Sequence, residues 1–281
     1  MKIIVTGANG YIGSHVVQAL LANKEYEVTA VDIDNSNIDA NAKFINIDIL
    51  KNAAASDLYQ TLGLPEAVIH MAWRDGFNHA SLNHIQDLFS HYGFLKNMID
   101  SGCKNISVMG SMHEVGYHEG VVDENTPCNP LSLYGVAKNA LRQMIFICPP
   151  PLHKDISLKW FRGFYVCGDD WRNKSVFSKI LQMEKEGKTS FPFTDGKNKY
   201  DFIDIKTLAL YIAKASVQKT IDGIINVCSG KAVSLKDKVE EFLFVNKLKI
   251  RPEFGVFPGR KYDSPIIYGD NSKILKIMET I

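Results

Sequence analysis

The sequence contains no apolar run approaching the roughly 18 residues needed to span a bilayer, so no membrane partner is expected. Charge bias is absent too: 32 Lys and Arg against 31 Asp and Glu leave a formal net charge of +1. Neither nucleic acid nor an anionic surface is therefore expected as a partner, and an anionic ligand has to be held by local charge. Cysteine is scarce and unpatterned. Cys103, Cys128, Cys148, Cys167 and Cys228 carry neither metal nor redox spacing and read as small hydrophobes in a reducing compartment. Residues 2–6 read as a strand running straight into a glycine loop, not as a signal peptide with a cleavage site, so a cytoplasmic chain is expected. No internal repeat or low-complexity block interrupts it.

With 281 residues, 46% of them hydrophobic, the chain is long enough for one large α/β unit or such a unit with a small lobe. Apolar runs at 2–6, 27–31, 43–47, 67–72, 105–109 and 157–164 read as strands. Helical spacing occupies 11–23, 82–101, 134–147, 175–187 and 205–216, and 224–228 is a further strand-like run. Pro149, Pro150 and Pro151 stop the helix before them, because they lack donors. This alternation predicts α/β class: a Rossmann-type, doubly wound parallel sheet. We expect a dinucleotide-binding unit over 1–165, with 200–230 returning to it, and an interleaved, smaller C-terminal substrate-binding lobe over 166–281.

The most informative segment is Thr6-Gly7-Ala8-Asn9-Gly10-Tyr11-Ile12-Gly13. Gly7, Gly10 and Gly13 allow a tight turn and bring backbone close to a pyrophosphate at a helix N-terminus. Their spacing is Gly-x-x-Gly-x-x-Gly rather than Gly-x-Gly-x-x-Gly, and an ordinary glycine-rich turn shares it. Its place between a strand and a helix favours the dinucleotide, with Asn9, Tyr11 and Ile12 completing the cradle. Asp32 closes the second strand, where a carboxylate accepts from ribose hydroxyls and repels a 2′-phosphate; NAD(H) is therefore favoured over NADP(H). Asp34 is close enough to share that role. Asp48, with Ile49 beside it, stands where it either binds the adenine amine or is simply solvated.

Tyr134 and Lys138 are spaced Tyr-x-x-x-Lys, with Ser111 upstream. A phenol with a pKa near 10 is a poor base at neutral pH, and a cation one helical turn away is expected to lower it. Ser111 can fix a substrate oxygen beside the tyrosine. Tyr-x-x-x-Lys alone is common by chance. With the serine and the glycine loop it specifies proton transfer at an alcohol or sugar oxygen while hydride moves on carbon. A non-catalytic dinucleotide sensor is the reading of another class, and it has no need of the Tyr/Lys pair.

These residues, with His70-Met71-Ala72, resemble the extended short-chain dehydrogenase/reductases, and within them the NAD-dependent epimerase/dehydratase branch that acts on nucleotide sugars. Four later segments are similar to that family as well: 162–168, 200–205, 226–230 and 269–273. The resemblance implies a Rossmann fold with bound NAD(P), Met71, Ala72 and Trp73 beside the cofactor, and a small lobe gripping a nucleoside diphosphate. It also implies a homodimer built through helices 82–98 and 134–147, whose apolar positions cover more than one face. Arg260 would pair with the diphosphate, assisted by Lys197 and Lys199; for each of the three the alternative is a solvated surface charge.

Departures from the family pattern narrow the chemistry. Met112-His113 stands where sugar 4,6-dehydratases carry an Asp-Glu pair, so Glu114 lacks a partner for eliminating water. Trp73 replaces a small residue and would crowd the substrate side of the nicotinamide. The expected activity is reduction of a nucleotide-diphosphate-linked 4-keto-6-deoxy sugar, with nucleotide-sugar 4-epimerisation as the alternative. His79 is a candidate for the substrate pocket, and His113 is either a second acid/base or a packed side chain. His70, His79, His84 and His91 span strand, loop and helix, so no metal is expected. Arg162 is expected to pack near the sixth strand.

Overall fold

The computed structural model describes residues 1–147, 155–259 and 263–280. Arg260, Cys148 and the three consecutive prolines lie outside these described residues. The chain forms a seven-stranded sheet in the order β11-β7-β5-β4-β1-β2-β3. Its strands are β1 Lys2–Thr6, β2 Glu27–Asp32, β3 Lys43–Asn46, β4 Ala67–His70, β5 Asn105–Ser111, β7 Ser157–Gly163 and β11 Gly223–Val227. Every pairing in it is parallel. This is the doubly wound sheet expected from the sequence. Strand order reverses between β1 and β4, and such a reversal opens a crevice at the carboxyl ends of the strands.

Helices cover both faces, which explains why the central strands are apolar at consecutive positions instead of alternating. Ile3 and Val5 of β1 pack into one buried cluster with α1 (Tyr11–Leu21), α7 (Ile205–Val217) and α9 (Ser272–Thr280). Ile4 packs into the other, with α2 (Leu58–Thr61), α4 (Leu88–Asp100) and α5 (Leu133–Ile147). Each such fully buried aliphatic side chain contributes about 1.5–3 kcal/mol. The helical spacing over 82–101 divides into α3 (Asn83–Gln86) and α4. The break falls at Asp87, whose carboxylate takes a bidentate bond from Arg74.

A second sheet runs β12-β10-β14-β6, with β8 also on β10. It comprises β6 Gly120–Val122, β8 Tyr165–Cys167, β10 Lys199–Asp204, β12 Ala232–Ser234 and β14 Ile266–Gly269. Residues 120–122, inside the stretch expected for the dinucleotide unit, thus pair with β14 instead. Buried Asp201 joins three of the family-like segments: it accepts from Ser229 N–H (2.8 Å), Gly230 N–H (2.9 Å) and Gly269 N–H (3.2 Å). Beside this sheet lie α6 (Val176–Lys185), α8 (Leu235–Val245) and the short pair β9 (Ser190–Pro192) with β13 (Arg251–Glu253), around a core containing Phe177, Phe193 and Val239. Among the described residues no helix is long and apolar enough to cross a membrane.

Candidate active site

The glycine loop connects β1 to α1 at the carboxyl edge of the sheet. Gly7 has φ +66°, and a Cβ there would meet the Ala72 nitrogen at 2.5 Å; at Gly13 a Cβ would meet the Gly7 carbonyl oxygen at 2.1 Å. Only glycine permits both approaches. The loop therefore packs directly against Met71 and Ala72, and Met71 N–H bonds the Thr6 carbonyl at 3.0 Å. No side chain caps α1. The first-turn N–H groups at Tyr11, Ile12 and Gly13 suit an anion at the positive end of the helix. The loop fits a pyrophosphate.

Asp32 ends β2, and its Oδ2 accepts the Asn9 N–H at 2.9 Å while Oδ1 accepts from Ile33 N–H at 2.7 Å. Asp34 takes bonds from Asn9 Nδ2 and the Ser36 hydroxyl, each 2.7 Å, and the Ser36 bond holds its carboxyl below the usual range. Asp48 accepts from Leu50 N–H at 3.1 Å and faces Lys51 at 3.3 Å; Ile49 is buried in the core. The Tyr11 hydroxyl donates to the Gly168 carbonyl, tying the loop to the segment after β8. Ile12 packs against the core cluster.

Ser111 is the last residue of β5 and opens a capping box over Met112–Glu114. Its N–H donates to Glu114 Oε1 at 2.6 Å, and its Oγ accepts from His113 N–H at 3.2 Å. Tyr134 sits in the first turn of α5, half-buried, with the Ser111 hydroxyl near its phenol. Lys138 donates to the Met109 carbonyl at 2.7 Å and lies 5.9 Å from the Tyr134 ring centre. Burial pushes Tyr134 up to about 12, against the lowering by the Ser111 bond, and pushes Lys138 down to about 7, against the pull of Glu114. The expected lowering of the phenol by its lysine is not what the structure has. Lys138 is turned to a strand carbonyl, so burial dominates and Tyr134 stays a neutral phenol, the donor form.

Aromatic rings surround that phenol. His79 stacks on it at 4.9 Å, with Trp73 at 6.2 Å and His113 at 6.1 Å edge-on. His79 is carried by a loop that starts with Asp75 at φ +59°, a conformation aspartate tolerates better than most residues. The Asp75 carboxylate holds the loop through Ser81 (2.7 Å) and Asn83 (2.6 Å). Lys199 is exposed at the start of β10, and among the described residues no hydrogen bond or ion pair joins it to this cluster. Lys197 pairs with Asp195 at 3.6 Å. Among the described residues no group of three His, Cys, Asp or Glu is arranged to hold a metal ion.

Sequence reasoning missed the support behind Ser111. Fully buried Glu114 also accepts the Trp160 indole N–H at 2.8 Å and faces Arg142 at 3.6 Å and Arg162 at 3.7 Å. Arg162, on β7, is fully buried and donates to the Asp123 carbonyl at 3.0 Å. The Ser-x-x-Glu spacing of a capping box was the readable signal.

Residues 3–228 match the NAD dependent epimerase/dehydratase family. The chain belongs to that family. Among its relatives is a dTDP-6-deoxy-L-talose 4-dehydrogenase (NAD(+)) of Aggregatibacter actinomycetemcomitans, 45% identical over 274 residues that make up 96% of this chain and 99% of that protein. An uncharacterized UDP-glucose epimerase of Bacillus subtilis is 28% identical, over 72% of this chain and 68% of its own. The structure of UDP-glucose 4-epimerase from Thermotoga maritima superposes with a TM-score of 0.81 at 22% identity, covering 98% of this chain and 92% of that one, a likeness of fold.

In this family member the buried histidines have a consequence for stability. Burial, reinforced by Lys138, drives His70 down to about 3; burial and His70 hold His91 well below its usual value; burial and His79 take His113 to about 4. The unfolded chain takes up protons near pH 6.5 that the folded chain refuses. The contribution is thus complete above pH 6.5 and is lost as pH falls toward the folded values. His70 alone costs about 1.4 kcal/mol per pH unit over that window. Urea midpoints should fall steeply from pH 6.5 to 5, and a flat response would contradict these protonation states.

Proposed function

We propose that this chain is an NAD(H)-dependent oxidoreductase that interconverts the C4 alcohol and C4 ketone of a dTDP-linked 6-deoxy sugar. The observation that carries the chemistry is a neutral Tyr134 phenol with Ser111 as its neighbour, one helical turn from Lys138 and ringed by His79, His113 and Trp73. The substrate class is supported by the end-to-end 45% identity with the talose 4-dehydrogenase.

In the reductive direction Tyr134 gives its proton to the C4 oxygen, and Ser111 holds that oxygen by a second hydrogen bond. Lys138 offsets the charge left on the phenolate. Bound nicotinamide supplies the hydride. The first-turn N–H groups of Tyr11, Ile12 and Gly13 would hold the pyrophosphate, in a turn that Gly7 and Gly10 shape and Asn9 ties to Asp32; Asp32 would hold the ribose and Asp48, beside Ile49, the adenine. Met71, Ala72 and Trp73 border the nicotinamide side. His79 and His113 line the sugar pocket, and Lys199 and Arg260 serve the diphosphate. Phe89, Val136 and Phe146 remain exposed on the packed α4–α5 pair, in keeping with a homodimer face. Cytoplasmic residence belongs to the same reading, from the unpatterned cysteines.

Absorbance at 340 nm should rise when the protein meets dTDP-6-deoxy-L-talose and NAD+, and far more slowly with NADP+. Asp32 is held from both oxygens and cannot swing away from a 2′-phosphate. Asp32→Ser should therefore narrow the cofactor preference by roughly tenfold or more, equivalent to about 1.4 kcal/mol. Equal rates with both cofactors in the wild type would refute the role of Asp32, and no rise with either would refute the activity.

A further inference from the structure

Trp73 is gripped from several sides, by His84, His91 and Lys138. Its indole N–H donates to His84 Nδ1 at 3.1 Å. Indole nitrogen is a donor only, so His84 Nδ1 accepts and its Nε2–H donates to the Asn78 carbonyl at 2.9 Å. That fixes the tautomer of His84 and one edge of the indole. His91 stacks on the ring at 4.4 Å and 12°, and is itself bonded to His70 at 2.9 Å, with His70 bonded to Thr6 at 2.8 Å. The Lys138 ammonium lies 3.7 Å from the indole centroid.

A buried ammonium needs compensation for lost water. Around Lys138 the compensating groups are the Met109 carbonyl, the more distant Glu114 carboxylate and the indole face. Tyr134 on its own helix, His70 from β4 and His91 from α4 complete its titratable surroundings; both histidines are kept neutral by burial and add no competing charge. An aromatic face attracts a cation most strongly when water is excluded.

We propose that Trp73 is a positioning residue for Lys138, its indole face holding the buried ammonium in place beside Tyr134 and keeping it protonated. This rests on the reading of Tyr134 and Lys138 given above, and it assigns the unusual tryptophan a task other than walling the substrate. Burial leaves Lys138 near 7, so losing the indole should leave much of it neutral at working pH. Trp73→Leu should then move the alkaline limb of the activity profile down by about one pH unit. Trp73→Phe, which keeps a ring face and loses the bond to His84, should restore most of that shift.

The deciding measurement needs no turnover: NMR of the full chain carrying 13Cε-labelled lysine, with the Lys138 signal assigned through Lys138→Met. In the wild type that methylene should be displaced upfield by the indole ring current. Its titration midpoint should drop by about one pH unit in Trp73→Leu and recover in Trp73→Phe. An undisplaced wild-type signal overturns the proposal even if the leucine variant fails to fold, and so does an unchanged midpoint in a folded one. If the sugar is turned over while the NMR result is negative, only the role of Trp73 falls. A positive NMR result without turnover leaves Trp73 in place and removes the proposed activity.

Discussion

Tyr134→Phe should lower turnover by about 10²–10⁴-fold while leaving NADH binding close to wild type. The substitution removes one hydroxyl from a half-buried ring and keeps the stack on His79 and the edge contact with Trp73. Nothing in the glycine loop is touched. What disappears is the phenolic proton that faces the sugar oxygen in the proposed reaction, next to Ser111. Because burial holds the phenol up at about 12, the donor form predominates throughout the neutral range, and the reductive rate should not show a Tyr134 limb below pH 9. NADH binding followed by fluorescence separates loss of chemistry from loss of cofactor. A variant within fivefold of wild-type turnover would remove Tyr134 from the mechanism.

Glu114→Leu should destabilise the fold by about 3–5 kcal/mol, because it strips a buried counter-ion and leaves its partners in place. Two guanidiniums depend on that carboxylate, and the Nε atoms of Arg142 and Arg162 have no hydrogen bond in the structure. The Ser111 amide and the Trp160 indole would also lose their acceptor. Glu114→Gln keeps an acceptor and a similar shape, so its cost should be smaller. Both should lower turnover beyond their effect on folded population, since Ser111 is set by the same cap. Urea unfolding at constant pH measures the first effect. A cost below about 1 kcal/mol for the leucine variant would mean the buried charges are compensated elsewhere.

Much of the large sheet was legible because its signals are local. A strand followed by glycines and a helix is written in consecutive residues, and Asp32 and Ser111 fall at strand ends that apolar runs announce. The second sheet was not legible in that way. Strands β6, β8 and β12 are three residues each, and β6 pairs with β14 across more than half the length of the chain. Pairing of that kind leaves little periodicity to read. The division of 82–101 into α3 and α4 was hidden for another reason: apolar spacing runs through Asp87, and the break goes with a bond from Arg74, outside the helix. At the site itself, the Tyr134–Lys138 spacing was plain, yet the direction of the lysine was not. Helical spacing puts two residues on one face, and only the packing of α5 against β5 reveals that Lys138 reaches the Met109 carbonyl. That difference reverses the expected shift of the phenol. The lowered pKa values of His70 and His91 behind Trp73 are likewise a product of tertiary burial.

The most direct test of the account uses NADH deuterated at C4 on either face, incubated with a dTDP-linked 4-keto-6-deoxy sugar. One of the two labels should appear at sugar C4, one deuterium per NADH consumed, with NAD+ released. No NADH consumption and no label in the sugar, together with interconversion of C4 epimers without added cofactor, would contradict it and make the chain an epimerase.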